Sequence, residues 1–111
     1  MSTSAYAEDA TVYAGGAGAM VEWRAYGDHL YITDLEADGQ SAVGIVQLGN
    51  GTAYYYWNTD GNGTTRHVNL NLPENRPLAV GAAVGNYQGT PTGGLIWSSV
   101  STKSVSTSYS P

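Results

Sequence analysis

Residues 38–63 read DGQSAVGIVQLGNGTAYYYWNTDGNG. Asp38-Gly39, Asn50-Gly51, Asp60-Gly61 and Asn62-Gly63 all fall within this stretch. Tight hairpin turns hold residues at positive φ, which Gly, Asn and Asp adopt at low steric cost. Between the turn signals lie an apolar run, Ser41 to Leu48, and an aromatic one, Thr52 to Asn58. Turns spaced roughly 10–12 residues apart around such runs predict a compact antiparallel β protein.

The flanking sequence follows the same rhythm. Val21, Trp23 and Ala25 alternate with Glu22 and Arg24, and Leu30 and Ile32 alternate with His29, Tyr31 and Thr33. Alternation with period 2 marks a strand with one buried face. Ser41 to Leu48 is the most apolar strand, which places it centrally. Thr52–Asn58 and Thr64–Leu72 are expected to pair as a hairpin. Leu78 to Tyr87 is rich in small residues and suits close packing against a Trp. Gly94 to Val105 reads as one last strand. The expectation is an all-β, antiparallel β-sandwich of seven or eight strands in residues 10–105. Residues 1–9 and 106–111 are read as flexible ends.

Composition narrows the function. The 111 residues include no Cys, so neither disulfides nor thiolate metal ligands are available. Charged residues are only 12% of the chain, and the net charge is −5. Four scattered cations, Arg24, Arg66, Arg76 and Lys103, cannot neutralise a phosphate backbone. Nucleic-acid partners and anionic membrane surfaces are therefore disfavoured. No apolar run approaches the ~20 residues of a membrane-spanning helix. Ala5 and Ala7 have the small side chains of a signal-cleavage site but lack an apolar region before them. That leaves two readings, a mature secreted chain with an added start Met or an ordinary flexible N-terminus.

Phrases of this sequence resemble small secreted β-sandwich proteins of actinomycetes. They are Tyr26-Gly-Asp-His-Leu-Tyr-Ile-Thr-Asp34, Ala37-Asp-Gly39, Trp57-Asn-Thr-Asp-Gly-Asn-Gly-Thr64, and Leu72-Pro-Glu74 before Leu78. The resemblance spans about residues 20–100 and consists mainly of turn chemistry. It implies a β-sandwich and an extracellular location, and it implies no activity. Such proteins often carry cysteine pairs where this chain has Tyr, His, Val and Ala.

Catalytic groups are sparse. His29 follows Asp28, but neighbours on a strand point to opposite faces, so the pair makes a poor dyad. His67 is expected on a solvated face. Asp34, Glu36 and Asp38 alternate along one face and read as a solvated turn or a weak Ca²⁺ site. Asn58, Asp60 and Asn62, with Gly63 next, match the front of a calcium loop. The twelfth position is Asn69 rather than a bidentate Glu, and a hairpin tip needs the same residues, so no cofactor is expected and Ca²⁺ is the one candidate. Asn50-Gly-Thr52 and Asn62-Gly-Thr64 match the N-glycosylation pattern as by-products of Asn-Gly turns.

The candidate binding face is Tyr54-Tyr55-Tyr56-Trp57. Tyr54 and Tyr56 share one face of a strand, and Tyr55 and Trp57 the other. One pair lines the core, and the other meets solvent, a loop or a partner. Exposed Tyr55 and Trp57 beside Asn69, Asn71 and Thr65 would form a platform for a carbohydrate or a protein surface. The alternatives are cross-strand packing, a hydrolase inhibitor presenting the 88–94 or 74–77 loop, and a self-assembling surface protein.

Overall fold

The computed structural model describes residues 9–25, 27–37, 39–70 and 77–106. Its strands are β1 (Ala10–Tyr13), β2 (Ala19–Arg24), β3 (His29–Asp34), β4 (Ser41–Leu48), β5 (Ala53–Asn58), β6 (Thr65–Asn69), β7 (Pro77–Gly85) and β8 (Ser101–Ser106). They form two four-stranded antiparallel sheets, with orders β1-β2-β3-β6 and β5-β4-β7-β8. The fold is an all-β sandwich.

Alternation decides which side chains meet between the sheets. Val21, Trp23, Leu30 and Ile32 of the first sheet are completely buried, as are Ala42, Val46, Val80 and Ala82 of the second. The layers approach closely at Gly44, where a Cβ would lie 2.6 Å from Ile32 Cγ1. Only glycine lets that isoleucine seat against the second sheet. Trp23 fills the centre, and its Nε1–H has no partner among the described residues.

The β4–β5 connection turns through Gly51 at φ 94°, and the β2–β3 connection through Gly27 and Asp28 at φ 85° and 56°. The first agrees with the Asn50-Gly51 signal. The Asp38-Gly39 signal falls partly outside the described residues, as do Tyr26, the 71–76 connection with Asn71, and the chain ends.

Two expectations are corrected. β5 and β6 do not pair as a hairpin: β5 pairs with β4, and β6 pairs with β3 in the other sheet. The chain turns a corner between layers, and Asn58 clamps it. Asn58 is 1% exposed. Its Nδ2 donates to the carbonyls of Ile32 and Thr64 at 3.0 and 2.9 Å, and its Oδ1 accepts from Asp60 N at 3.0 Å. Period-2 alternation looks the same whichever sheet a strand joins, so it does not reveal the corner. The 94–105 segment is likewise not one strand. Leu95 makes a single bridge to Gly85, Trp97–Ser99 forms a 3-10 turn, and only then does β8 begin. Buried Ser99 holds that turn, its hydroxyl donating to Ile96 O at 2.6 Å and accepting from Val84 N at 3.0 Å.

Candidate functional site

β4 is apolar on both faces, and so the second sheet has two cores. On its outer face Val43, Ile45, Trp57, Ala83 and Leu95 form a separate buried cluster, with Tyr55 and Val100 packed against it. The 86–100 connection folds back over this cluster as a roof. It is held by Asn86 N donating to Gly94 O at 2.9 Å and Ile96 N donating to Val84 O at 3.0 Å. Gly93 N adds a bond to Thr90 Oγ1 at 2.9 Å.

Trp57 anchors the roof. Its indole lies across β4 onto β7, where a Cβ on Gly85 would come within 2.8 Å of Trp57 Cη2. The small-residue run of β7 thus packs against a Trp, as its composition predicts. Trp57 Nε1 donates to Pro91 O at 2.9 Å, and the Tyr87 ring stands 5.1 Å away at 46°. Trp57 is only 6% exposed, which corrects the expectation of an exposed Tyr55/Trp57 pair. The loop that Gly and Pro made legible covers this ring. A buried indole needs a partner for its N–H, and the Pro91 carbonyl supplies it.

Two of the exposed aromatics stand near Trp57 and Tyr55. Tyr87 is 51% exposed and Trp97 59% exposed. Trp97 meets half-buried Tyr55 edge to face at 6.2 Å. Neither Tyr87 nor Trp97 stood out in the sequence as a surface group. The local signal was there for Tyr87, next to a Gly/Pro/Thr loop, but Trp97 looked like part of a strand. A cleft of about 290 Å³ opens between β5 and the roof, lined by residues that include Tyr55, Tyr56, Trp57, Arg66, Tyr87 and Thr90.

Arg66 reaches this cleft from the other sheet. It stands on β6 across from Ile32, at the open side of the sandwich. Its Nη1 donates to Trp57 O at 2.7 Å, and its Cζ lies 5.9 Å from the Tyr56 ring centroid. Burial raises the Tyr56 pKa above the phenol range, Tyr54 raises it further, and Arg66 opposes both.

The other expected ligand groups do not join the cleft. Asn69 stands across from His29 on the outer face of the first sheet, away from Tyr55 and Trp57. Thr65 is on that face too, its hydroxyl 2.8 Å from that of Thr33. Asn71 lies outside the described residues. His67 stacks on Tyr31 at 4.6 Å, and its Nε2 is 2.7 Å from His29 Nδ1. The calcium loop is also rearranged: Asn58 Oδ1 already accepts from Asp60 N and from the Thr64 hydroxyl, at 3.0 and 3.3 Å. Asp60 and Asn62 remain exposed on the corner. Among the described residues no three His, Asp or Glu side chains gather as a metal site. No described helix is long and apolar enough to cross a membrane.

No protein-family model, curated protein or solved structure matches this chain.

Proposed function

We propose that this chain is a secreted, non-enzymatic binding module whose ligand is a carbohydrate, held in the cleft between β5 and the 86–100 roof. The observation that carries this reading is a cleft of about 290 Å³ lined by Tyr55, Tyr56, Trp57 and Tyr87, with exposed Trp97 set edge to face against Tyr55 beside it. That volume is at the small end of the ~300–1,000 Å³ typical of small-molecule sites, which suits one sugar ring. The C–H face of a pyranose packs on aromatic surfaces, and its hydroxyls need polar partners around the rim. Thr59, Thr90 and the Tyr phenols line the same cleft. The pairing of the two His side chains with each other, on the opposite sheet, supports a non-enzymatic role. The low charge and the resemblance to extracellular sandwiches support secretion.

Glycan-array screening followed by titration of the hits tests the proposal. Tyr87→Ala and Tyr55→Ala are expected to weaken binding about tenfold each, from the loss of aromatic contact. A native protein that binds no glycan on the array sinks the reading.

A second reading rests on the roof itself. Its 88–92 tip is exposed, while Asn86 N to Gly94 O and Ile96 N to Val84 O brace its base and Trp57 Nε1 to Pro91 O and Gly93 N to Thr90 Oγ1 hold the tip. An inhibitor needs such a preorganised loop, because rigidity lowers the entropy lost on docking. Inhibition of a hydrolase panel that disappears in Pro91→Gly is the result this reading requires.

A further inference from the structure

Resting on the carbohydrate reading, we infer that the sugar is acidic and that Arg66 reads its carboxylate. Arg66 is the sole cation among the residues lining the cleft. Among the described residues the one ion pair is Arg24–Glu22, so no described carboxylate neutralises the Arg66 guanidinium. Its position is set from both sides: one nitrogen is spent on the Trp57 carbonyl, and the plane lies near the Tyr56 ring. A guanidinium carries five N–H donors in a fixed fork, and this bond uses one, which leaves donors matched to a carboxylate's two oxygens. The aromatic rim then packs the sugar ring while Arg66 receives the charged substituent, as a uronate provides.

The rest of the molecule limits the ligand's size. With a net charge of −5, the protein repels a long polyanion. A single carboxylate held at Arg66 gains the local contact and meets little of that repulsion, which salt screens within about 10 Å. The favoured ligand is therefore a short oligosaccharide with a uronic acid residue, rather than an anionic polymer.

Trimers of galacturonate and glucuronate, and their methyl esters, make the matched probes. Esterification removes the charge and keeps the ring. Titrations followed by tryptophan fluorescence should show an acid form binding about tenfold tighter than its ester, the size of a charge-assisted contact. Arg66→Gln should bring the acid and ester affinities to within about twofold of each other, and Arg66→Lys should restore part of the difference. Because the acid and its ester are compared on the native protein, the result does not depend on how well a variant folds. Equal or weaker binding of the acids, or binding of neutral glycans alone, overturns the acidic assignment and leaves the carbohydrate reading standing. Binding of no glycan of any kind overturns both.

Discussion

The two sheets of this sandwich share one interior and differ on their outer faces. The outer face of the first sheet is open and polar: His29, Tyr31 and His67 meet one another and Thr33 meets Thr65 over β3 and β6, with Asn69 across from His29. The outer face of the second sheet is apolar beneath, with Val43, Ile45 and Ala83 buried under the 86–100 roof. The cause is visible in β4, which lacks polar residues from Ala42 to Val46. A strand that is apolar on both faces in an antiparallel sheet needs a cover on each side. The cover here is a loop, and the seam between loop and sheet becomes the cleft. A polar face needs no cover and gains no cleft.

The largest expected effect belongs to the shared interior. Trp23→Ala should destabilise the protein by about 3–5 kcal/mol in denaturant unfolding, as truncation of a fully buried aromatic does. A loss under about 1 kcal/mol would place Trp23 outside the core. Trp57→Ala should cost less, about 2–4 kcal/mol, because a loop collapses into the space more readily than a second sheet. Its signature is regional, with hydrogen-exchange protection falling in the 86–96 roof and persisting in β2 and β3. Uniform loss of protection across both sheets would contradict a separate outer core.

Gly85→Ala should destabilise by about 1–3 kcal/mol through overpacking. Its new methyl would lie 2.6 Å from Gly94 O and 2.8 Å from Trp57, so the roof must lift. Thermal melts of this variant alongside Gly51→Ala separate packing from turn strain, since Gly51 has open space around its Cβ position and pays only for its positive φ. If Gly85→Ala costs the same in the Trp57→Ala variant as in the native protein, the strain comes from the Gly94 carbonyl and the Leu95 backbone and not from the indole.

A smaller effect appears at high pH. The fold favours the neutral Tyr56 phenol, so its folded pKa lies above the unfolded value. The associated stability is fully present below about pH 10 and is lost as pH rises through the folded value. Tyr56→Phe should flatten the alkaline decline in melting temperature, and an unchanged slope would assign that decline to other groups. Smallest of all is the response to calcium. Millimolar Ca²⁺ should leave the melting temperature within about 5 °C, because Asn58 Oδ1 is already occupied by protein donors. A larger rise would require the corner to rearrange around the ion.

Much of the sandwich was legible in the chain. The alternation through Val21 and Trp23 and through Leu30 and Ile32 gave both core-facing strands, and the apolar run of β4 placed it in the middle of its sheet. Asn50-Gly51 marks a true turn, with Gly51 at positive φ. The candidate site was legible only in part. Tyr55 and Trp57 do share the outer face, but Trp57 is the floor of the roof rather than an exposed plate. Asn69 belongs to the other sheet, because β6 joins β3. Trp97 passed for a strand residue, since nothing in its neighbours announces a 3-10 turn.

The amino-acid pattern by itself determined that the chain folds as short extended segments with turns at its Gly pairs. Hydrophobic periodicity is a local property, and so is tolerance of positive φ. Tertiary structure alone decided which sheet β6 joins, where the 86–100 connection lies, and that Arg66 meets Trp57 and Tyr56. Those outcomes depend on contacts between residues far apart in sequence: Asn58 with Ile32, Trp57 with Pro91, Gly85 beneath the indole. Each is a matter of shape and hydrogen-bond satisfaction in three dimensions, which no local window of sequence records.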